Sequence, residues 1–145
     1  MSKSKPADWL AEIQARQQRE RDRLPPAKAA LLAGLKASRV ATVTIEYDGE
    51  GDSGQIETIV ARTARGKPAT LRGSVTLDLH GQAREYKSLE EVLDEFAWAI
   101  LRVYHDGFEN NEGGFGTLTI DVAKGTITLD HNDRIIEVSN TETEL

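Results

Sequence analysis

The sequence predicts an α+β fold: an N-terminal helical arm, then a mostly antiparallel sheet of about six strands with one amphipathic helix packed on its apolar face. Three observations carry this prediction. Large apolar residues recur at helical spacing up to Leu35 and again from Leu89 to Tyr104. From Val40, and again in the C-terminal third, apolar and polar residues alternate instead. Glycine-bearing turns separate the alternating runs.

Pro6 and Asp8 open the arm, whose large apolar residues are Trp9, Ile13 and Leu24. The stretch QARQQRERDR is polar nearly all round, so it is expected to be solvated. Pro25-Pro26 is expected to end this helix. A second helix follows from about Ala27 to Ala37, with Leu31, Leu32 and Leu35 as its stripe. Val43, Ile45 and Tyr47 alternate with Thr42, Thr44 and Glu46, a half-buried strand. A long loop, Asp48–Gly54, joins it to a β-like run from Gln55 to Ala64. Val75, Leu77 and Leu79 alternate with Thr76, Asp78 and His80 in a third strand.

Ser88-Leu89-Glu90-Glu91 has the form of a capping box at the start of the best-defined helix. Beyond the glycine-rich segment 105–116 the chain reads as a meander. A two-residue turn at Lys124-Gly125 pairs Val122 with Ile127 and Ile120 with Leu129. A second turn at Asn132-Asp133 pairs Leu129 with Ile136 and Ile127 with Val138 on the same face. Thr117, Thr119, Asp121, Thr126, Thr128 and Asp130 then face outward. These elements divide the chain into a basic arm (1–26), an acidic α+β domain (27–138) and a frayed tail (139–145).

The 145 residues suit one domain of ordinary size. The absence of cysteine excludes disulfides, thiolate nucleophiles and Cys-ligated metals. Mean hydropathy is -0.46, and no apolar run is long enough to cross a membrane. The start has no apolar signal core, so a cytoplasmic address is expected. Charge is segregated. Residues 1–39 hold nine Lys/Arg and four Asp/Glu, whereas 40–145 hold nine and twenty. A basic arm on an acidic body points to an interaction protein.

Gly51-Asp52-Ser53-Gly54 spells a serine-protease motif, but every histidine follows the serine and the chain is too short for a double barrel. Asp48, Glu50 and Asp52 mimic the first ligands of an EF-hand. Ser53 then stands where its glycine belongs, and Ile59 where its bidentate glutamate belongs. If this loop meets the second acidic loop (Asp106, Glu109, Glu112, with Asn110 and Asn111), their carboxylates form a weak Mg²⁺ or Ca²⁺ site or an acid–base pair. The candidate metal ligands are thus Asp48, Glu50, Asp52, Glu109 and Glu112, and no other cofactor is expected. In the plainer account Asn110-Asn111 and Gly113-Gly114 simply supply the positive-φ positions of a sharp helix-to-strand turn. The histidines show no metal-binding spacing. His105 is expected to serve the end of its helix, His131 to border a turn, and His80 to point away from the core.

Two segments, YDGEGDSG (47–54) and GFENNEGGFG (107–116) running on through TLTIDVAKGTITLDHNDR, resemble a bacterial domain-of-unknown-function family of small acidic proteins. The family carries DGxGDSG and ENNxGGxG motifs. The resemblance spans Val40 to Thr143 and implies no activity, substrate or ligand; it marks the two acidic loops as the segments to watch.

The leading expectation is therefore a non-catalytic binding protein, an inhibitor or accessory factor acting on a basic protein surface or pairing as a homodimer. Asp48, Asp52, Glu109, Asn110, Asn111 and Glu112 supply its acidic contacts, and Arg16, Arg19 and Arg23 the arm's. The alternative is a divalent-metal hydrolase using Asp48, Asp52, Glu109 and Glu112. Nucleic acid is expected only at the arm, since the body repels phosphate, and no membrane is expected.

Overall fold

A computed structural model describes residues 6–50, 53–107, 112–135 and 140–144. Its order is α1 (Pro6–Ala37), β1 (Thr42–Glu50), β2 (Ser53–Arg62), β3 (Val75–Asp78), β4 (Ala83–Tyr86), α2 (Leu89–Tyr104), β5 (Gly114–Asp121) and β6 (Thr126–Asp133). The fold is α+β as the alternation requires. The six described strands form two sheets rather than one: an antiparallel sheet in the order β2-β1-β5-β6, and a β3-β4 hairpin. The short β4 was not legible, because Ala83-Arg84-Glu85-Tyr86 buries only Tyr86.

Pro25-Pro26 does not end α1, which runs through them as a single 32-residue helix. Proline has no N–H to offer, so the carbonyls of Arg21 and Asp22 lose their helical donors. Packing outweighs that loss. Ala27, Leu31 and Leu35, at i, i+4 and i+8, are all buried in the core. At Gly34 α1 faces Val75 and Leu89.

Helix α2 buries Leu89, Val92, Leu93, Phe96, Ala97 and Ile100 against Val43, Ile45, Leu118 and Ile120 of the sheet. Ser88 is its N-cap residue, but no capping box forms. The Ser88 hydroxyl donates to the Leu71 carbonyl, and Glu91 accepts from Arg84 instead. The connector 65–73 is thereby tied to the helix start.

Two expected turns are corrected. Glu50 pairs with Ser53, so most of the acidic loop 48–54 is strand, and only 51–52 lie between β1 and β2. Asn132 and Asp133 pair with Phe115 and Gly114, so β6 continues through the expected second turn. The expected partners Ile136 and Val138 lie outside the described residues. The β5–β6 register is offset by two from the expected one, with Ile120 opposite Ile127 and Leu118 opposite Leu129. A shift of two leaves every side chain on its expected face, because strand parity is unchanged. Thr117, Thr119, Thr126, Thr128 and Asp130 do sit on the polar face.

Candidate functional site

The inner face of the sheet ends in a polar constellation. Tyr47, Gly116 and His131 lie side by side on β1, β5 and β6. Gly116 has no side chain, so the tyrosine hydroxyl reaches across it to His131 Nδ1 at 2.6 Å. A Cβ at Gly116 would run into the Tyr47 hydroxyl and the Asp130 carbonyl; one at Gly114 would press on the His131 ring. Gly114 and Gly116 therefore carve a niche for two rings, whereas Gly107 (φ +75) and Gly113 (φ +80) take the left-handed conformation that turns require. Glycine inside a strand marks such a close approach.

His131 Nε2 lies 2.8 Å from Asp133 Oδ1, and the imidazole is only 4% exposed. A neutral ring satisfies both contacts in one tautomer: Tyr47 donates to Nδ1, and Nε2–H donates to the carboxylate. The Tyr47 phenol is held protonated, its pKa pushed up to about 12 by burial and then by the charges of Asp130 and Asp133. His105, just past α2, stacks on His131 with centroids 3.8 Å apart. Burial, then the neighbouring His131, lowers its pKa, while Asp133 opposes the shift. This His105–His131 pair was not visible in the spacing of the histidines along the chain. His105 is the C-cap residue of α2, and its backbone N–H donates to the Leu101 carbonyl; its lowered pKa works against a charged ring at the helix end, and the ring stacks in the cluster instead. His80 sits in the β3–β4 turn, 3.9 Å from Glu95.

The described ends of the two acidic segments meet where β1 pairs with β5. Gly49 lies opposite Gly114, and the backbone at Gly113 packs against Gly49 and Glu50. An internal cation answers them. Arg134 Nη2 lies 2.9 Å from Asp48 Oδ1, Nη1 donates to the Gly49 carbonyl, and the guanidinium covers the Phe115 ring. Glu50 and Glu112 are exposed. Asp52, Glu109, Asn110 and Asn111 lie outside the described residues. Among the described residues no three His, Asp or Glu side chains are grouped to hold a metal.

On the arm, Arg16 and Arg19 are exposed, whereas the Arg23 guanidinium packs at Gly81 in the β3–β4 turn. Two concavities were missed in the sequence. One is a groove of about 470 Å³ between β2 and the start of α2, lined by Glu57, Glu90, Glu91 and Asp94 with Ile56, Thr58, Ile59 and Ser88. Glu57 is the unpaired residue of a β-bulge opposite Glu46 and Tyr47. Burial and the adjacent Glu95 raise the Asp94 pKa. The helical spacing of Glu90, Glu91 and Asp94 was visible in the sequence; the bulge that brings Glu57 to them was not. The other is a cleft of about 550 Å³ between α1, α2 and the sheet.

A family model described as a family of unknown function (DUF6878) matches residues 24–145. It begins one residue before the proline pair and takes in both glycine-rich segments. Comparison with curated proteins and with solved structures finds no match.

Proposed function

We propose that this chain, which belongs to the family of unknown function DUF6878, is a non-catalytic binding protein whose acidic flank accepts a basic, extended segment of a protein partner. One observation carries this: the four-carboxylate groove runs beside the open edge of β2. Residues 67–69 cover that edge only at its end, where Pro68 bridges Arg62 and the Ala69 N–H donates to Ala61. From Ser53 to Val60 the strand has β1 on one side and no strand on the other among the described residues. An added strand gains main-chain hydrogen bonds there, and its lysines or arginines meet the carboxylates. Arg84 already answers Glu91 at 2.8 Å. Glu90 and Asp94 have no cation at ion-pair distance among the described residues, and an incoming one supplies the missing charge.

The residues assigned to this role differ from those expected from the sequence. Asp48 is engaged by Arg134, and the acidic contacts move to Glu57, Glu90 and Asp94. The metal-hydrolase alternative rests on Asp48, Asp52, Glu109 and Glu112, of which Asp52 and Glu109 lie outside the described residues. Uptake of Mg²⁺, Mn²⁺ or Ca²⁺ at micromolar concentration, lost in Asp52→Asn with Glu109→Gln, is the result that revives it.

The test is fluorescence anisotropy with a labelled eight-residue peptide alternating lysine and valine. Binding that weakens steeply with salt, and at least tenfold in Glu57→Gln/Asp94→Asn, supports the assignment. No binding, or equal binding by that variant, overturns it.

A further inference from the structure

We propose that the cleft between α1, α2 and the sheet is a binding site for a small amphiphilic anion, its chain on the sheet and its anionic head at α1. The floor and walls are apolar: Leu24 and Pro25 of α1, Phe96 and Ile100 of α2, and Leu118, Ile127 and Leu129 of the sheet. At about 550 Å³ the cleft lies within the range of small-molecule sites.

Its charged rim is what selects the ligand. The ionisable lining residues are Arg21, Lys28, Tyr104 and His105; no Asp or Glu lines the cleft, in a chain that carries 24 of them. Arg21 and Lys28 are seven residues apart, so they project from one side of α1 about 10 Å apart along its axis. Neither has an ion-pair partner among the described residues. The long side chains reach the mouth from either side while their stems add to its apolar wall. Pro25, between them in the chain, adds an apolar ring to the cleft wall. The far end is formed by the C-terminus of α2, with Tyr104 and His105. A helix C-terminus is the wrong pole for an anion. The head therefore sits at Arg21 and Lys28, and the tail runs toward Leu129.

The site is separate from the acidic groove at β2: the two share no lining residue and carry opposite charge.

Decanoate is the probe, with decan-1-ol and decyltrimethylammonium as neutral and cationic controls of equal chain length. Calorimetry on the full chain is combined with amide NMR shift mapping. The expected result is one decanoate per chain, with shifts centred on Ile100, Ile127 and Leu129. Decanol binds more weakly, and the cation weakest. Arg21→Gln/Lys28→Gln, two changes on the helix surface, weakens decanoate at least tenfold and leaves decanol unchanged. Ile100→Trp, which fills the cleft, abolishes both. Equal affinity for the three probes, an unchanged constant in the double glutamine variant, or shifts centred elsewhere would each overturn the assignment. So would a cleft already filled by Trp9 of a second copy, visible as a sedimenting dimer that Trp9→Ala dissociates.

Discussion

Tyr47 and His131, 84 residues apart in sequence, meet at 2.6 Å across the bare backbone of Gly116. The contact exists because the middle strand contributes nothing between its neighbours. Gly116→Ala puts a methyl group where the Tyr47 hydroxyl and the Asp130 carbonyl already are. Overpacking of this kind costs about 1–3 kcal/mol, and backbone cannot yield as a flexible side chain does. The expected loss is at the top of that range in urea unfolding. Tyr47→Phe removes only the hydroxyl and with it the hydrogen bond to His131 Nδ1, for a loss of about 1 kcal/mol.

Alkaline unfolding follows from the two buried phenols. Tyr47 and Tyr86 each have a pKa pushed up to about 12, both chiefly by burial. Near pH 10 the unfolded tyrosines release protons that the folded ones keep. Stability is therefore complete below pH 10 and falls as pH rises from 10 to 12, by about 2–3 kcal/mol for each phenol. Tyr47→Phe and Tyr86→Phe each flatten that fall, read as unfolding free energy against pH.

Acid acts through His105. Its pKa is lowered by burial and by the stacked His131. Below about pH 6.5 the unfolded imidazole binds a proton that the folded one refuses, so stability falls as pH drops from there. In ¹³C-edited NMR the His105 midpoint is expected below 6.5. Melting temperature declines less between pH 7 and 5 in His105→Asn than in the parent chain.

Arg134 and Asp48 hold the converging ends of β1 and β5 together. Both side chains are partly exposed, so solvent screens the pair and its coupling is modest, about 0.5–1 kcal/mol in a double-mutant cycle. Arg134→Gln alone costs more than that coupling. It also removes the donor to Gly49 and the cover over Phe115, and leaves a buried Asp48 oxygen with nothing opposite it. Arg134→Gln combined with Asp48→Asn is expected to recover part of the loss.

Which features could be read in the sequence depends on how local their causes are. Helix α2 was legible because seven apolar residues repeat on one face within it. The faces of β5 and β6 were legible despite a register offset, because parity survives a shift of two. The acidic loops were legible as segments, but not the cation that Arg134 brings from beyond β6. The Tyr47–His131 contact joins three strands and could only have been inferred from Gly114 and Gly116, two glycines alternating on a face otherwise filled by Leu118 and Ile120. The proline pair misled because its effect is local, whereas the burial that overrides it, at Ala27, Leu31 and Leu35, is tertiary.

That override makes α1 a helix under load, and relieving it has a definite sign. Pro25 and Pro26 each remove a backbone hydrogen bond, and each prevents the residue before it from relaxing into ideal helix. In an unconstrained helix interior proline is about 3 kcal/mol worse than alanine. Part of that is recovered through the stiffer unfolded chain that proline imposes. Pro25→Ala/Pro26→Ala is therefore expected to raise stability by about 2–4 kcal/mol in urea unfolding and to increase the helical circular-dichroism signal. The gain should nearly vanish in a background of Leu31→Ala with Leu35→Ala. Those leucines anchor the C-terminal half of α1, and without them a restored hydrogen-bond ladder has nothing to hold in place. Unchanged stability of the alanine pair in the parent chain would show that the prolines sit in α1 without strain.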